Sequence, residues 1–214
     1  MSQTGLPPNL AAYNVALHAC RSSEAVQQAD RILASMAAAS VAPNGRTFAG
    51  LLRACKMAKD WRRAVNVFFD MEAKHPEFAN VYMWSRLVQV LYACAAPEST
   101  LDAAALMAEL GVTPTTATYN MVLWAHARLG DGDAIESVLS SMRAAGEEVT
   151  FLSLAALTRG YAHGWHWDAA EEALEALFNS GSPIGVRMDS VTVFVKACDH
   201  AGDLPRIVRW LRRL

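Results

Sequence analysis

Nothing in the 214 residues approaches an apolar run of about 18, so no segment reads as a membrane-spanning helix. The four cysteines, Cys20, Cys55, Cys94 and Cys198, form no CxxC pair, which removes the common redox and metal spacings. They read as small core thiols of a reducing compartment, three of them at one place in an apolar helix. There is no glycine-rich phosphate loop and no G-x-S-x-G elbow. Met1 to Pro8 carries neither a basic segment nor an apolar core, and the first arginine is Arg21, so neither a secretory signal nor an Arg-rich presequence is expected there. Charge is sparse: 19% of residues are charged and the net is −2, unlike the basic total of most nucleic-acid binders. What the chain has in quantity is apolar residues, at 53%, enough for a large core and too many for disorder.

Those apolar residues recur every 35 positions. Tyr13-Asn14, Phe48-Ala49, Trp84-Ser85 and Tyr119-Asn120 fall at matching places. Met36, Met71, Met107 and Met142 each follow 23 residues behind. A period of this size means stacked copies of one small unit, each burying its apolar face only against its neighbours. The units are placed at 10–44, 45–80, 81–115, 116–150 and 151–187, with a partial sixth at 188–214, in a single array over 10–214. Each unit reads as two helices. The first is expected to begin at the fourth place (Tyr13, Phe48, Trp84, Tyr119, Leu154, Val191) and continues an i, i+4, i+7 stripe through Leu17 and Cys20, Leu52 and Cys55, or Leu123. Gly130 and Gly202 are expected to stop it. The second helix carries Ala29, Leu33 and Met36, or Ala64, Phe68 and Met71, or Ala170, Leu174 and Leu177. The methionines read as core filling. Gly111, Gly146 and Gly181 end this helix, and Pro43 and Pro114 mark turns into the next unit. The fold class is all-α, an extended α-solenoid of helix-turn-helix repeats with a concave face.

An aromatic-Asn pair, an Ala-Cys further along, a small residue in the second helix, a Met, and a closing Pro-Asn together resemble the pentatricopeptide repeat. The first unit matches nearly throughout, with Tyr13-Asn14, Ala19-Cys20, Ala29, Met36 and Pro43-Asn44. The tetratricopeptide pattern fits less well, since its Leu-Gly and Tyr columns are absent. The resemblance covers about 10–214 and implies a right-handed solenoid that binds single-stranded RNA, one base per repeat, in organellar transcript processing, stability or translation. It implies a plastid or a mitochondrion, with a lean to the plastid. In that family the fifth-place residue and the unit's last residue choose the base through its pairing edge, and the second-place residue sandwiches it. Carried over, the reading pairs are Asn14 with Asn44, Ala49 with Asn80, Ser85 with Thr115, Asn120 with Thr150, and Ala155 with Arg187. Asn14–Asn44 looks like a pyrimidine reader, Asn120–Thr150 leans the same way, and Ser85–Thr115 leans to purine. An alanine at fifth place cannot hydrogen-bond a base edge, so no target sequence is read.

Helical geometry gives a separate test. At 100° per residue, the second, fifth, ninth, twelfth and thirteenth places share one arc. It holds Arg21, Arg46, Arg53, Lys56, Arg128, Arg159 and Lys196 against Asp189 and Asp199, a net of +5; with the chain at −2, the remainder carries −7. Glu136, Glu171, Glu172 and Glu175 fall on second helices. Tyr82, Tyr92 and Trp124 share the exposed arc, where rings stack bases. These residues are the expected backbone and stacking contacts of an RNA groove, with His18 and His200 solvated at its edge. The other reading is a protein-interaction scaffold, supported by the acidic total, the alanines at fifth place and the aromatic Trp124 and Tyr82.

His75-Pro76-Glu77 matches half of a zinc deaminase signature by chance, since no CxxC completes it. His163 and His166 read as surface groups at an interhelical turn, not metal ligands. No enzyme, cofactor or small-molecule substrate is expected. The sixth unit stops inside its second helix at Trp210-Leu211-Arg212-Arg213-Leu214, so the chain is expected to be a piece of a longer array.

Overall fold

The computed structural model describes residues 8–213. The opening stretch read for targeting signals, and Leu214, where the sixth unit is expected to end, lie outside the described residues. Among the described residues there is helix and turn but no strand, and no helix is long and apolar enough to cross a membrane.

The chain divides into two compact units, Met1–Val112 and Thr113–Leu214. The first holds three hairpins: α1 (Leu10–Ala19) with α2 (Ala25–Ala38), α3 (Gly45–Ala58) with α4 (Trp61–Lys74), and α5 (Val81–Ala93) with α6 (Pro97–Glu109). The second holds α7 (Thr116–Leu129) with α8 (Gly132–Ala144), α9 (Phe151–His163) with α10 (Trp167–Asn179), and α11 (Ile184–Ala201) with α12 (Leu204–Leu211). In the first unit α3 packs against α1 and α5; in the second α9 packs against α7 and α11. Leading helices therefore form the contiguous layer of each stack.

The leading helices start earlier than the apolar stripe predicts. They begin at the first place of each unit, three residues before Tyr13, Phe48, Trp84, Tyr119 and Leu154. The cause is the residue in front. The Asn9 side chain accepts from the Ala12 N–H, Asn44 from Thr47, Asn80 from Tyr82 and Met83, and Thr115 from Thr118. Each cap satisfies N–H groups that the first turn otherwise leaves orphaned, so that turn is helical already. The sixth unit departs further: α11 begins at Ile184, behind Pro183, and not near Val191. The thirty-sixth residue of the second unit is absorbed by a 3-10 turn at Pro76–Phe78, where Phe78 packs on Phe48 and stacks on His75.

Packing follows the columns. Tyr13, Phe48, Trp84 and Tyr119 are buried, and so are Met36, Met71, Met107 and Met142. The Tyr13 and Tyr119 hydroxyls donate to the carbonyls of Ser35 and Ser141 at 3.2 and 3.4 Å, each 22 residues on, tying leading helix to following helix the same way in both stacks. Gly130 and Gly202 end their helices in the left-handed conformation at φ 74° and 75°. Lys59, Ala95 and Trp165 hold the matching turn of other hairpins at φ 58°, 59° and 65° without the freedom of glycine.

The cysteines need one revision. Cys55 and Cys198 lie inside leading helices, Cys20 follows the end of α1, and all three are buried. Cys94 is the cap at the end of α5 and is partly exposed. Burial pushes the Cys55 thiol up to about 12 and Cys198 up to about 11. A raised thiol favours the fold below its ordinary value near 9 and ceases to do so as pH climbs through the folded value. Unfolding midpoints in urea are therefore expected to fall between pH 9 and 11, and at pH 8 iodoacetamide should leave Cys55 and Cys198 unmodified in the native chain, as peptide mass mapping will show.

Gly160 gives a sharper test of packing. A Cβ there would meet Ile135 Cδ1 at 1.9 Å and the Ala127 backbone at 3.3 Å. Gly160→Ala should destabilise the second unit by about 1–3 kcal/mol. Gly185→Ala, where nothing lies within 4 Å, should be neutral or slightly stabilising in the same urea titration.

Candidate nucleic-acid interface

In the first unit, reading positions of three successive repeats converge on one groove of about 790 Å³. Its walls include second-place Ala11, Arg46 and Tyr82, fifth-place Asn14 and Ala49, and last-place Asn44 and Asn80. The convergence follows from caps and helix pitch: last-place residues sit at helix starts, and second and fifth places lie within about a turn and a half of them. Tyr82 is 51% exposed and is braced from below. Arg86 sits one turn along α5, with its guanidinium 5.0 Å from the ring centroid and Nη2 donating to the phenol oxygen at 2.7 Å. The ring is thus presented in a fixed orientation and backed by a cation.

Two of the sequence-derived pairs are paired in space. Asn14 Nδ2 donates to Asn44 Oδ1 at 3.3 Å, and Asn120 Nδ2 to Thr150 Oγ1 at 3.3 Å. Each amide oxygen accepts from a buried hydroxyl of the following helix: Thr47 Oγ1 at 2.8 Å from Asn14 Oδ1, and Ser153 Oγ at 2.5 Å from Asn120 Oδ1. Ala49 and Asn80 face the same groove without a bond between them. Ser85 belongs to the first compact unit and Thr115 to the second.

The pairing of Ala155 with Arg187 does not hold. Ala155 is buried, and Arg187 lies inside α11 with its guanidinium 5.5 Å from the Phe178 ring centroid. The last-place geometry fails there because α11 starts early, so no cap falls at 187.

Of the expected cationic contacts, Arg46, Arg128 and Lys196 are exposed on leading helices, and Lys56 is half-buried. Arg53 donates to His18 Nδ1 at 2.7 Å, which leaves the imidazole proton on Nε2, since a guanidinium cannot accept. Arg159 lies 5.1 Å over the Trp124 ring centroid, and that half-buried ring packs against the core. Arg21 is exposed in the turn after α1 and not on its face, because α1 ends at Ala19. Tyr92 is half-buried near the end of α5. In the second unit Arg159 and Lys196 line a groove of about 520 Å³ with His163, Trp165 and His200.

Trp165 escaped the sequence reading. It is 61% exposed and stands at the left-handed turn position held by glycine in two other hairpins. Aligning it with Gly130 and Gly202 would have marked it. The acids on following helices meet partners there: Glu136 accepts from the Tyr161 hydroxyl at 2.8 Å, Glu171 pairs with Arg206 and Arg209, and Glu175 with Arg213.

His75 lies 3.4 Å from the Glu77 carboxylate and packs against Phe48 and Phe78, a local turn contact. His163 and His166 are exposed at the turn between α9 and α10, with His166 Nε2 3.5 Å from Asp133. Among the described residues no group of three or more His, Cys, Asp or Glu side chains is gathered to hold a metal ion.

This geometry defines a helical-hairpin repeat protein whose leading helices carry the exposed polar and aromatic positions. A pentatricopeptide repeat domain model matches residues 31–77, and a PPR repeat model matches 117–147. A mitochondrial pentatricopeptide repeat-containing protein of Arabidopsis thaliana is 30% identical over 145 residues, which cover 65% of this chain and 28% of that protein. Among solved structures, PPR10 in complex with an 18-nt psaJ RNA element matches with a TM-score of 0.79 at 20% identity, over 99% of this chain and 31% of that one. The PPR domain of Arabidopsis thaliana protein-only RNase P 1, in complex with tRNA, matches with a TM-score of 0.67 at 20% identity, over 87% of this chain and 98% of that one. Residues 31–77 and 117–147 thus carry pentatricopeptide repeat signatures. The chain spans less than a third of the length of that curated relative and of PPR10.

Replacing Arg86 tests the brace beneath Tyr82. In Arg86→Ala the guanidinium that covers one face of the ring is gone, so hydroxyl-radical footprinting should oxidise Tyr82 faster than in the wild type, as peptide mapping will show, while the far-ultraviolet circular dichroism stays unchanged.

Proposed function

We propose that this protein binds single-stranded RNA along its leading helices, as a module without catalytic activity. The groove in the first unit carries the reading: Asn14, Asn44 and Asn80 offer hydrogen-bonding groups beside Arg46 and the braced ring of Tyr82. That combination suits a nucleotide, with a polar pairing edge, a flat face and a phosphate. Base–aromatic stacking contributes about 1–3 kcal/mol per base, and phosphate neutralisation adds a salt-dependent part. The solved relatives named as complexes with RNA support the same class of ligand. We extend the proposal to a single array over 10–214 that occupies organellar transcripts and so governs their processing, stability or translation. The curated relative is named mitochondrial.

A protein scaffold is the second reading, favoured by an apolar recess of about 250 Å³ lined by Trp61, Val65, Phe69 and Leu106. Peptide competition that leaves RNA binding intact would assign that recess to a separate use.

Binding to fluorescent poly-pyrimidine and poly-purine strands across a salt series tests the RNA reading. Arg53→Glu with Arg159→Glu should weaken binding and lower the salt slope by about 0.7 for each phosphate no longer neutralised. Tyr82→Ala should cost about 1–3 kcal/mol, with Tyr82→Trp close to wild type. Unchanged affinity and slope in the charge reversals would sink the reading.

A further inference from the structure

The third place of two repeats has a part to play that base-reading alone does not give it. Thr47 and Ser153 are both fully buried, and both carry a hydroxyl whose bonds are ordered by the helix cap. Thr47 Oγ1 accepts from the backbone N–H of Asn44 at 3.1 Å, and Ser153 Oγ accepts from that of Thr150 at 3.1 Å. Each hydroxyl then has one proton left to donate. In Thr47 it goes to the nearer oxygen, Asn14 Oδ1 at 2.8 Å; the alternative, Asn44 Oδ1 at 3.1 Å, already accepts from the Thr47 N–H. In Ser153 it goes to Asn120 Oδ1 at 2.5 Å, not to Thr150 Oγ1 at 3.3 Å.

The relay therefore runs from cap N–H to hydroxyl to amide oxygen, twice, in two separate stacks. Its consequence is directional. With Oδ1 occupied, one Nδ2 proton of each amide goes to the last-place side chain at 3.3 Å, and the second proton of Asn14, which lines the groove, is left for a ligand. Turning the Asn14 amide over would set its oxygen against Asn44 Oδ1, acceptor facing acceptor, and would trade the 2.8 Å bond of the Thr47 hydroxyl for the longer one to Asn44 Oδ1. A third pairing gives the contrast. Where the fifth place is Ala49, with no amide to orient, the third place of the next repeat is the buried Met83.

Building on the proposed RNA groove, we infer that Thr47 and Ser153 are specificity-determining positioning residues: they lock the amides of Asn14 and Asn120 as hydrogen-bond donors, so that these repeats select a base edge presenting an acceptor.

Selection from a randomised single-stranded RNA pool, followed by sequencing, tests this. Wild type should show base preferences at the nucleotides facing Asn14 and Asn120. Thr47→Val keeps the shape and removes the hydroxyl; it should erase about a fivefold preference at the first position and leave the second unchanged. Thr47→Ser should restore it. Ser153→Ala and Ser153→Thr make the same comparison in the other stack, and serve if Thr47→Val fails to fold. A residue that merely supports the helix would weaken binding to all four bases alike and leave their ratios unchanged; that result overturns the inference. So does wild-type binding without base preference at these positions. Wild type that binds no single-stranded RNA overturns the RNA reading together with this inference.

Discussion

No hairpin in this chain can bury its apolar face alone, and the rest of the structure follows from that constraint. Leu17, Leu52, Phe68, Met71, Leu91, Leu123, Leu174 and Phe194 are all fully buried, yet they are spread over seven helices. They are covered where helices pack within and between the hairpins of each stack. Burying one such side chain contributes about 1.5–3 kcal/mol, so the stacks gain stability one layer at a time and not from one central core. It also keeps the leading helices in register, because α3 packs between α1 and α5, and α9 between α7 and α11. The exposed positions of those helices are consequently delivered at regular intervals.

Electrostatics divides along the same line. Several acids of the following helices are paired where they lie. Asp30 takes Arg63 at 2.6 Å, and the bond keeps that guanidinium protonated beyond its ordinary range. In the second stack Arg206 lies within ion-pair reach of Asp168, Glu171 and Asp203, and the Trp210 indole donates to Glu171 at 3.0 Å. Exposed pairs of this kind add little individually. Their larger effect is to keep carboxylates engaged away from Arg46, Arg128 and Lys196, which remain exposed on leading helices. The net charge of −2 thus conceals a cationic excess on those helices.

Much of the fold could be read from residues. The 35-residue period, the buried aromatic and methionine columns and the glycine stops all correspond to observed contacts, because burial repeated on a fixed spacing leaves a pattern in composition. Helix starts were misplaced by three residues because the apolar stripe begins one turn after the cap, and caps are polar. Arg21 and Arg187 were misassigned for a related reason: a fixed period cannot register that α1 stops early or that α11 starts early. At the site, Asn14–Asn44 and Asn120–Thr150 were legible as pairs. The Arg86 brace beneath Tyr82 and the hydroxyls of Thr47 and Ser153 were not, since each acts through a neighbour and neither stands on the arc that faces the groove.

On the proposed RNA reading, Asn44, Asn80, Thr115 and Thr150 have a doubled duty, and it carries an evolutionary consequence. A residue that both opens a helix and confronts a ligand answers to two selections at once. Backbone demand admits a short list of small polar side chains before any ligand is consulted. The recognition alphabet at that position is therefore narrow by heredity of the scaffold, and variety in targets has to arise from the order in which few letters are strung together.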